Sequence, residues 1–196
     1  MALVFVLIMI SIVFVIAAVS SRIVTLGERA ARNDRDRQTA LQAAEAALSD
    51  AELDIMGPVS AMGPAANQRV AMFGTLPADA GCSSNVDSNP PTRGFCGPLP
   101  SGAYKAIFAV DSGTVQYATF GEFTDRADQF PVSTSGALPA KLPRYIIEKS
   151  TINYRNRAET AGKPFDAFVV TAIGYGLQSS TQVVLQAVIS KPVPTN

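Results

Sequence analysis

The chain has 196 residues, 16 Lys+Arg against 16 Asp+Glu, no histidine and no tryptophan. That length suits one domain of ordinary size plus an anchor. The zero net charge argues against a nucleic-acid-binding surface, which must be basic, and the missing histidine removes the commonest general base and zinc ligand.

Residues 1–21 carry no charge, proline or glycine before Arg22. As a helix they span roughly 30 Å, the thickness of a bilayer core. Three readings fit such a run: a retained anchor, a cleaved signal peptide, or the core helix of a soluble domain. A signal peptide needs a basic n-region and a small-residue cut site. Here the n-region is missing and the helical pattern runs straight through Ala17-Ala18-Val19, so a retained anchor is expected. Past it, Arg22, Arg29, Arg32, Arg35 and Arg37 outnumber Glu28, Asp34 and Asp36. The positive-inside rule would place this side in the cytoplasm, whereas the cysteine pair points to an oxidising compartment. A basic leader removed in front of Met1 would reconcile the two.

The helical pattern persists through 22–56. Gln38 to Asp54 is rich in alanine, the best helix former. Leu41, Ala44, Leu48, Ala51 and Ile55 recur at spacings of three and four and form a narrow apolar stripe expected to lie on a sheet. Gln42, Glu45, Ser49 and Glu52 form the wet face. Gly57-Pro58 ends the helix. One helix over residues 1–56 is about 80 Å long, too long to lie entirely on a domain of the remaining residues. Its Arg22–Arg37 section, polar on nearly every side, must bridge through solvent or meet other helices.

Residues 57–143 read as an irregular region, broken by Gly57-Pro58, Gly63-Pro64, Pro90-Pro91 and Gly97-Pro98, with a short turn near Gln68–Phe73. Behind an export-type anchor, Cys82 and Cys96 are expected to form a disulfide. It closes a loop of about 15 residues, contributing about 3 kcal/mol in the chain-entropy model. Tyr104–Val110 alternates and reads as a strand, Thr114–Phe120 as a weaker one, and 124–143 as loop.

Residues 144–196 hold three strands: Arg144–Lys149, Asp166–Tyr175 and Thr181–Ser190. Gly174 and Gly176 with Gln178-Ser179-Ser180 supply the last turn. This predicts an antiparallel meander covered by the Leu41–Ile55 stripe, an α+β fold. Catalytic motifs are missing from the pattern. Glu122, Asp125 and Asp128 cluster without the glycine and alternating ligands of a calcium loop, and Arg155, Arg157 and Lys163 near Tyr154 read as a solvated loop.

The long helix followed by an antiparallel sheet resembles a type IV pilin. Asn33-Asp-Arg-Asp-Arg-Gln-Thr-Ala-Leu-Gln-Ala-Ala-Glu-Ala-Ala-Leu48, behind a Met-Ala-Leu start, resembles the N-terminal signature of PilX-type minor pilins. Looser matches are Pro143 to Glu148, Val170-Thr171-Ala172 with Gly174 and Gly176, and Val183 to Gln186. The resemblance implies a pilin-like fold with a disulfide-containing αβ loop. The residues themselves offer no cofactor, metal or catalytic set, and the resemblance implies a structural subunit that primes pilus assembly. Prepilin peptidase would cut in front of Met1, and the new terminus would be methylated. The helix would wait in the inner membrane with its domain in the periplasm and then enter an extracellular pilus. The implied partners are the major pilin, other minor pilins (PilV, PilW and FimU-like) and a PilY-type tip adhesin.

Two positions depart from the major-pilin pattern. Where most pilins carry glutamate, this chain has Phe5, which cannot accept a neighbour's terminal amine. A subunit with nothing above it needs no such pairing, so Phe5 points to the pilus tip, although it also packs like any apolar residue. The same departure marks the tip pseudopilin of type II secretion, a rival reading that implies a larger inserted domain. Arg22 stands where many major pilins carry a helix-kinking proline, which predicts a straighter stalk. The remaining alternative is a membrane-tethered periplasmic binding domain.

Overall fold

A computed structural model describes residues 2–57, 69, 81–87, 91–133, 138–149 and 165–192. A single helix, α1, runs from Ala2 to Met56. It stops at Gly57, whose φ of 96° lies in the left-handed region open to glycine. The Gly57 amide still donates to the Leu53 carbonyl at 3.1 Å. Beyond α1 the elements are β1 (Phe95–Cys96), α2 (Tyr104–Phe108), β2 (Ala118–Thr119), a 3-10 turn (Ala127–Gln129), β3 (Arg144–Lys149), β4 (Phe165–Tyr175) and β5 (Gln182–Pro192). The expected short turn near Gln68–Phe73 lies outside the described residues except for Arg69.

The sheet order is β1-β3-β4-β5, with β2 also pairing on β3. β3, β4 and β5 form the antiparallel meander, registered as Tyr145 on Ala172 and Val170 on Ala187. The sheet is mixed rather than purely antiparallel, because β1 joins β3 in parallel, with Phe95 opposite Ile147.

Alternation along β3 and β4 splits the core in two. Tyr145, Ile147, Phe168, Val170 and Ala172 meet Ala47, Ala51 and Ile55 of α1. Ile146, Ile173 and Tyr175 face the other way, against Cys96, Ile107 and Phe108. Burial on both faces explains the nearly unbroken apolar run Phe168–Ile173, since a strand covered on one side alternates instead. β5, at the sheet edge, keeps that alternation: Val183, Leu185, Ala187 and Ile189 are half-buried and their neighbours are exposed.

Two expectations need correction. Tyr104–Val110 is not a strand. Tyr104, Ile107 and Phe108 stand at i, i+3 and i+4, so one turn of helix turns all three onto the back of the sheet. Of Thr114–Phe120, only Ala118–Thr119 pairs as a strand. Tyr117 just before it turns into the second core and donates to the Val110 carbonyl at 2.9 Å.

Candidate assembly surface

The amino-terminal half of α1 touches nothing in its own domain. From Leu3 to Arg35 every helix residue is exposed, including Phe5 at 64% and Phe14 at 74%. By length and composition this helix can cross a membrane. Within the apolar run the Ser11 and Ser20 hydroxyls donate to the Leu7 and Ile16 carbonyls at 2.8 and 2.9 Å. Past its first turn the apolar run has its backbone bonded within the helix, as an apolar surrounding requires. Gly27 meets no atom within 4 Å.

The domain begins at Asp36. Its carboxylate accepts the amides of Leu177 and Gln178 and the Thr181 hydroxyl, closing the β4–β5 turn onto the helix. Gly176 lies against the same side chain. One turn further, Gly174 abuts the helix backbone: a Cβ there would stand 2.1 Å from the Ala40 carbonyl oxygen and 2.3 Å from the Ala44 nitrogen. Gly174 therefore serves close approach inside β4, and the turn that follows starts at Gly176. The fully buried helix face is Ala40, Ala43, Ala44, Ala47, Ala51 and Ile55. Of the stripe anticipated from spacing, Ala44, Ala51 and Ile55 are buried, Leu48 is half-buried and Leu41 is 38% exposed. The small residues take the line of closest approach, which displaces the leucines to its rim.

The same face carries two buried acids, a pair that the stripe had not included. Asp50 accepts the Gly121 amide at 2.8 Å and the Thr124 hydroxyl. Asp54 pairs with Arg69 at 2.9 Å and accepts the Tyr145 hydroxyl at 3.0 Å. Burial pushes both carboxyls above their ordinary value, against these hydrogen bonds and the Arg69 charge. It also pushes the Tyr145 phenol well up. Arg69 is fully buried, its guanidinium 4.1 and 3.6 Å from the ring centres of Phe95 and Phe123. It also donates to the Arg93 carbonyl at 3.1 Å. Arg69 stands in a stretch without apolar periodicity, so only the two acids carried a readable signal: they fall at helical spacing among the alanines.

Cys82 and Cys96 are disulfide-bonded, which fixes the Cys82 strand edge to β1 on the back of the sheet. Glu122 pairs with Arg93 and accepts the Thr119 amide at 3.0 Å, leaving the neighbouring Asp125 and Asp128 exposed. The described residues hold no cluster of three or more metal-ligating side chains. Tyr154, Arg155, Arg157 and Lys163 lie outside the described residues.

An open groove of about 540 Å³ follows the border between α1 and β5. Leu48, Met56 and Ile189 give it apolar surface, and Glu45 and Glu52 stand on its helix side. Both glutamates are exposed. β5 leaves its outer edge unpaired among the described residues.

A family model described as the type IV pilus assembly protein PilX C-terminal region matches residues 79–191, and one described as PilX N-terminal matches residues 1–49. No curated protein and no solved structure matches the chain.

Proposed function

The chain belongs to the PilX family of type IV pilus assembly proteins, and from that membership we propose that it is a minor pilin that primes assembly within the complex at the pilus tip. The observation that carries this reading is α1, one helix with a wholly exposed apolar half and a second half seated on a sheet. Such a helix must find other apolar surface, first in a membrane and then among neighbouring helices.

In this reading residues 1–21 act as anchor and filament core, and 22–56 act as stalk and seat. Residues 57–143 present contact surface, and 144–196 complete the sheet. Met1 is the processed and methylated terminus. Phe5 carries the tip placement, because an uncharged side chain has no need of a neighbour's amine in an apolar interior, where an unpaired carboxylate is costly. The partners are PilV-, PilW- and FimU-like minor pilins, the major pilin and a PilY-type adhesin. The domain waits on the periplasmic side of the inner membrane until it is carried outward.

The test is detection of the protein in sheared pili, followed by gold labelling. Label at pilus ends is expected. Label spread evenly along the shaft overturns the tip placement, and absence from sheared pili overturns the subunit reading.

A further inference from the structure

The stalk carries an exposed basic pair, Arg22 and Arg29, seven positions apart on one helix face. The groove beside β5 carries an exposed acidic pair, Glu45 and Glu52, with the same spacing on the same helix. Among the described residues, none of the four is in an ion pair. We propose that these pairs meet between two copies of this chain, the stalk of one lying in the α1–β5 groove of the other. Arg22 then stands opposite Glu45 and Arg29 opposite Glu52. The proposal rests on the pilus-subunit reading but not on the tip placement.

The geometry supports a single register. Copies held in one filament point their apolar ends the same way, so the two helices run parallel. Matching the charge pairs sets an offset of 23 positions, about 35 Å along the axis. The seat of the domain extends from Asp36 to Met56, about 31 Å. The offset is the longer of the two, so the seats of the two domains do not overlap along the axis. In the same register Leu26, 63% exposed, comes level with Ser49 and beside the half-buried Leu48. Apolar side chains of the stalk and groove are thereby covered between the two charge pairs. The surfaces are different on the two copies, so the contact is head-to-tail and propagates as a helix rather than closing into a dimer.

Cross-linking in piliated cells tests this. The two native cysteines are bonded to each other, so introduced thiols are distinguishable. Two full-length copies with different tags would carry Leu26→Cys and Ser49→Cys respectively. A mixed-tag product with a short bismaleimide is expected, with at least fivefold less when Leu26→Cys is replaced by Ser11→Cys. Adding Glu45→Arg and Glu52→Arg to the groove copy should abolish the product. Adding Arg22→Glu and Arg29→Glu to the stalk copy should then restore it, which a misfolded variant could not do. Equal yields at both stalk positions, no rescue by the double reversal, or a product only with a different pilin would overturn the proposal. Sheared pili that contain the protein without the cross-link would overturn it while leaving the subunit reading intact.

Discussion

Gly174 and Ala40 meet backbone to backbone: a Cβ on the glycine would lie 2.1 Å from the alanine carbonyl oxygen. No side chain stands between them to move aside. The contact sets how deeply α1 settles on β4.

Gly174→Ala should therefore destabilise the domain severely, by about 3 kcal/mol or more, at the upper end of overpacking costs. Gly27→Ala, in exposed helix with nothing within 4 Å, should stabilise α1 by up to about 1 kcal/mol. Thermal unfolding of both full-length variants in detergent checks the contrast. Similar melting temperatures would mean that the helix is not held by this contact.

The Asp54–Arg69 pair should be costly to halve. Arg69→Ala leaves a buried carboxylate and two unstacked rings, with an expected loss of about 3–5 kcal/mol. Arg69→Met combined with Asp54→Leu should recover a large part of it, because both uncompensated charges are gone. Urea denaturation of the single and double variants would show whether the two effects are coupled.

Stability should fall as pH rises above the ordinary carboxyl value of 3.8, through the folded-state values of Asp50 and Asp54. Both are raised by burial, so the folded chain holds a proton where the unfolded chain has released it, and that advantage vanishes once both states are ionised. Asp50 faces Arg69 and Arg126, while Asp54 faces Arg69, Asp50 and Tyr145. Exposed Asp111 opposes this trend from below: bonds from Lys141 and Arg144 lower its value, so its contribution is lost as pH falls from 3.8 through its folded-state value. Asp50→Asn should flatten the decline in denaturation midpoints as pH rises above 3.8. Parallel curves for parent and variant would exclude Asp50 as a source.

Reduction, or Cys82→Ser with Cys96→Ser, should cost about 3 kcal/mol, from a bridge between residues 14 apart. The loss should appear as a lower denaturation midpoint that reductant no longer shifts in the double variant. A midpoint unchanged by reduction in the parent would show that the loop is held by its other contacts.

The strands that pack by alternation were legible in the sequence. Tyr145 and Ile147 against Ile146, and Val183 to Ile189 along the sheet edge, follow period two wherever one or both faces are covered. Tyr104–Phe108 reads as a strand in the sequence but forms a helix, because apolar positions 104, 107 and 108 fit a short strand as well as one helical turn. Residue type also decided the phase of the α1 stripe. Spacing admits Leu41 and Ala40 alike, but only alanine allows the approach that Gly174 requires. Arg69 lies beyond the reach of the sequence, because a lone cation shows its value only when the chain has brought Asp54, Phe95 and Phe123 around it.

The unbroken course of α1 also has a mechanical consequence. The domain is clamped to the rod only from Asp36 onward, so a sideways load on it acts on a lever of about 22 Å between Ser21 and Asp36. The fulcrum is the Asp36 carboxylate and its bonds to Leu177 and Thr181. Under traction along the axis the helix transmits tension directly. Under shear this corner is stressed before the deeper Asp50 and Asp54 contacts, and it is where the head would begin to peel from the rod.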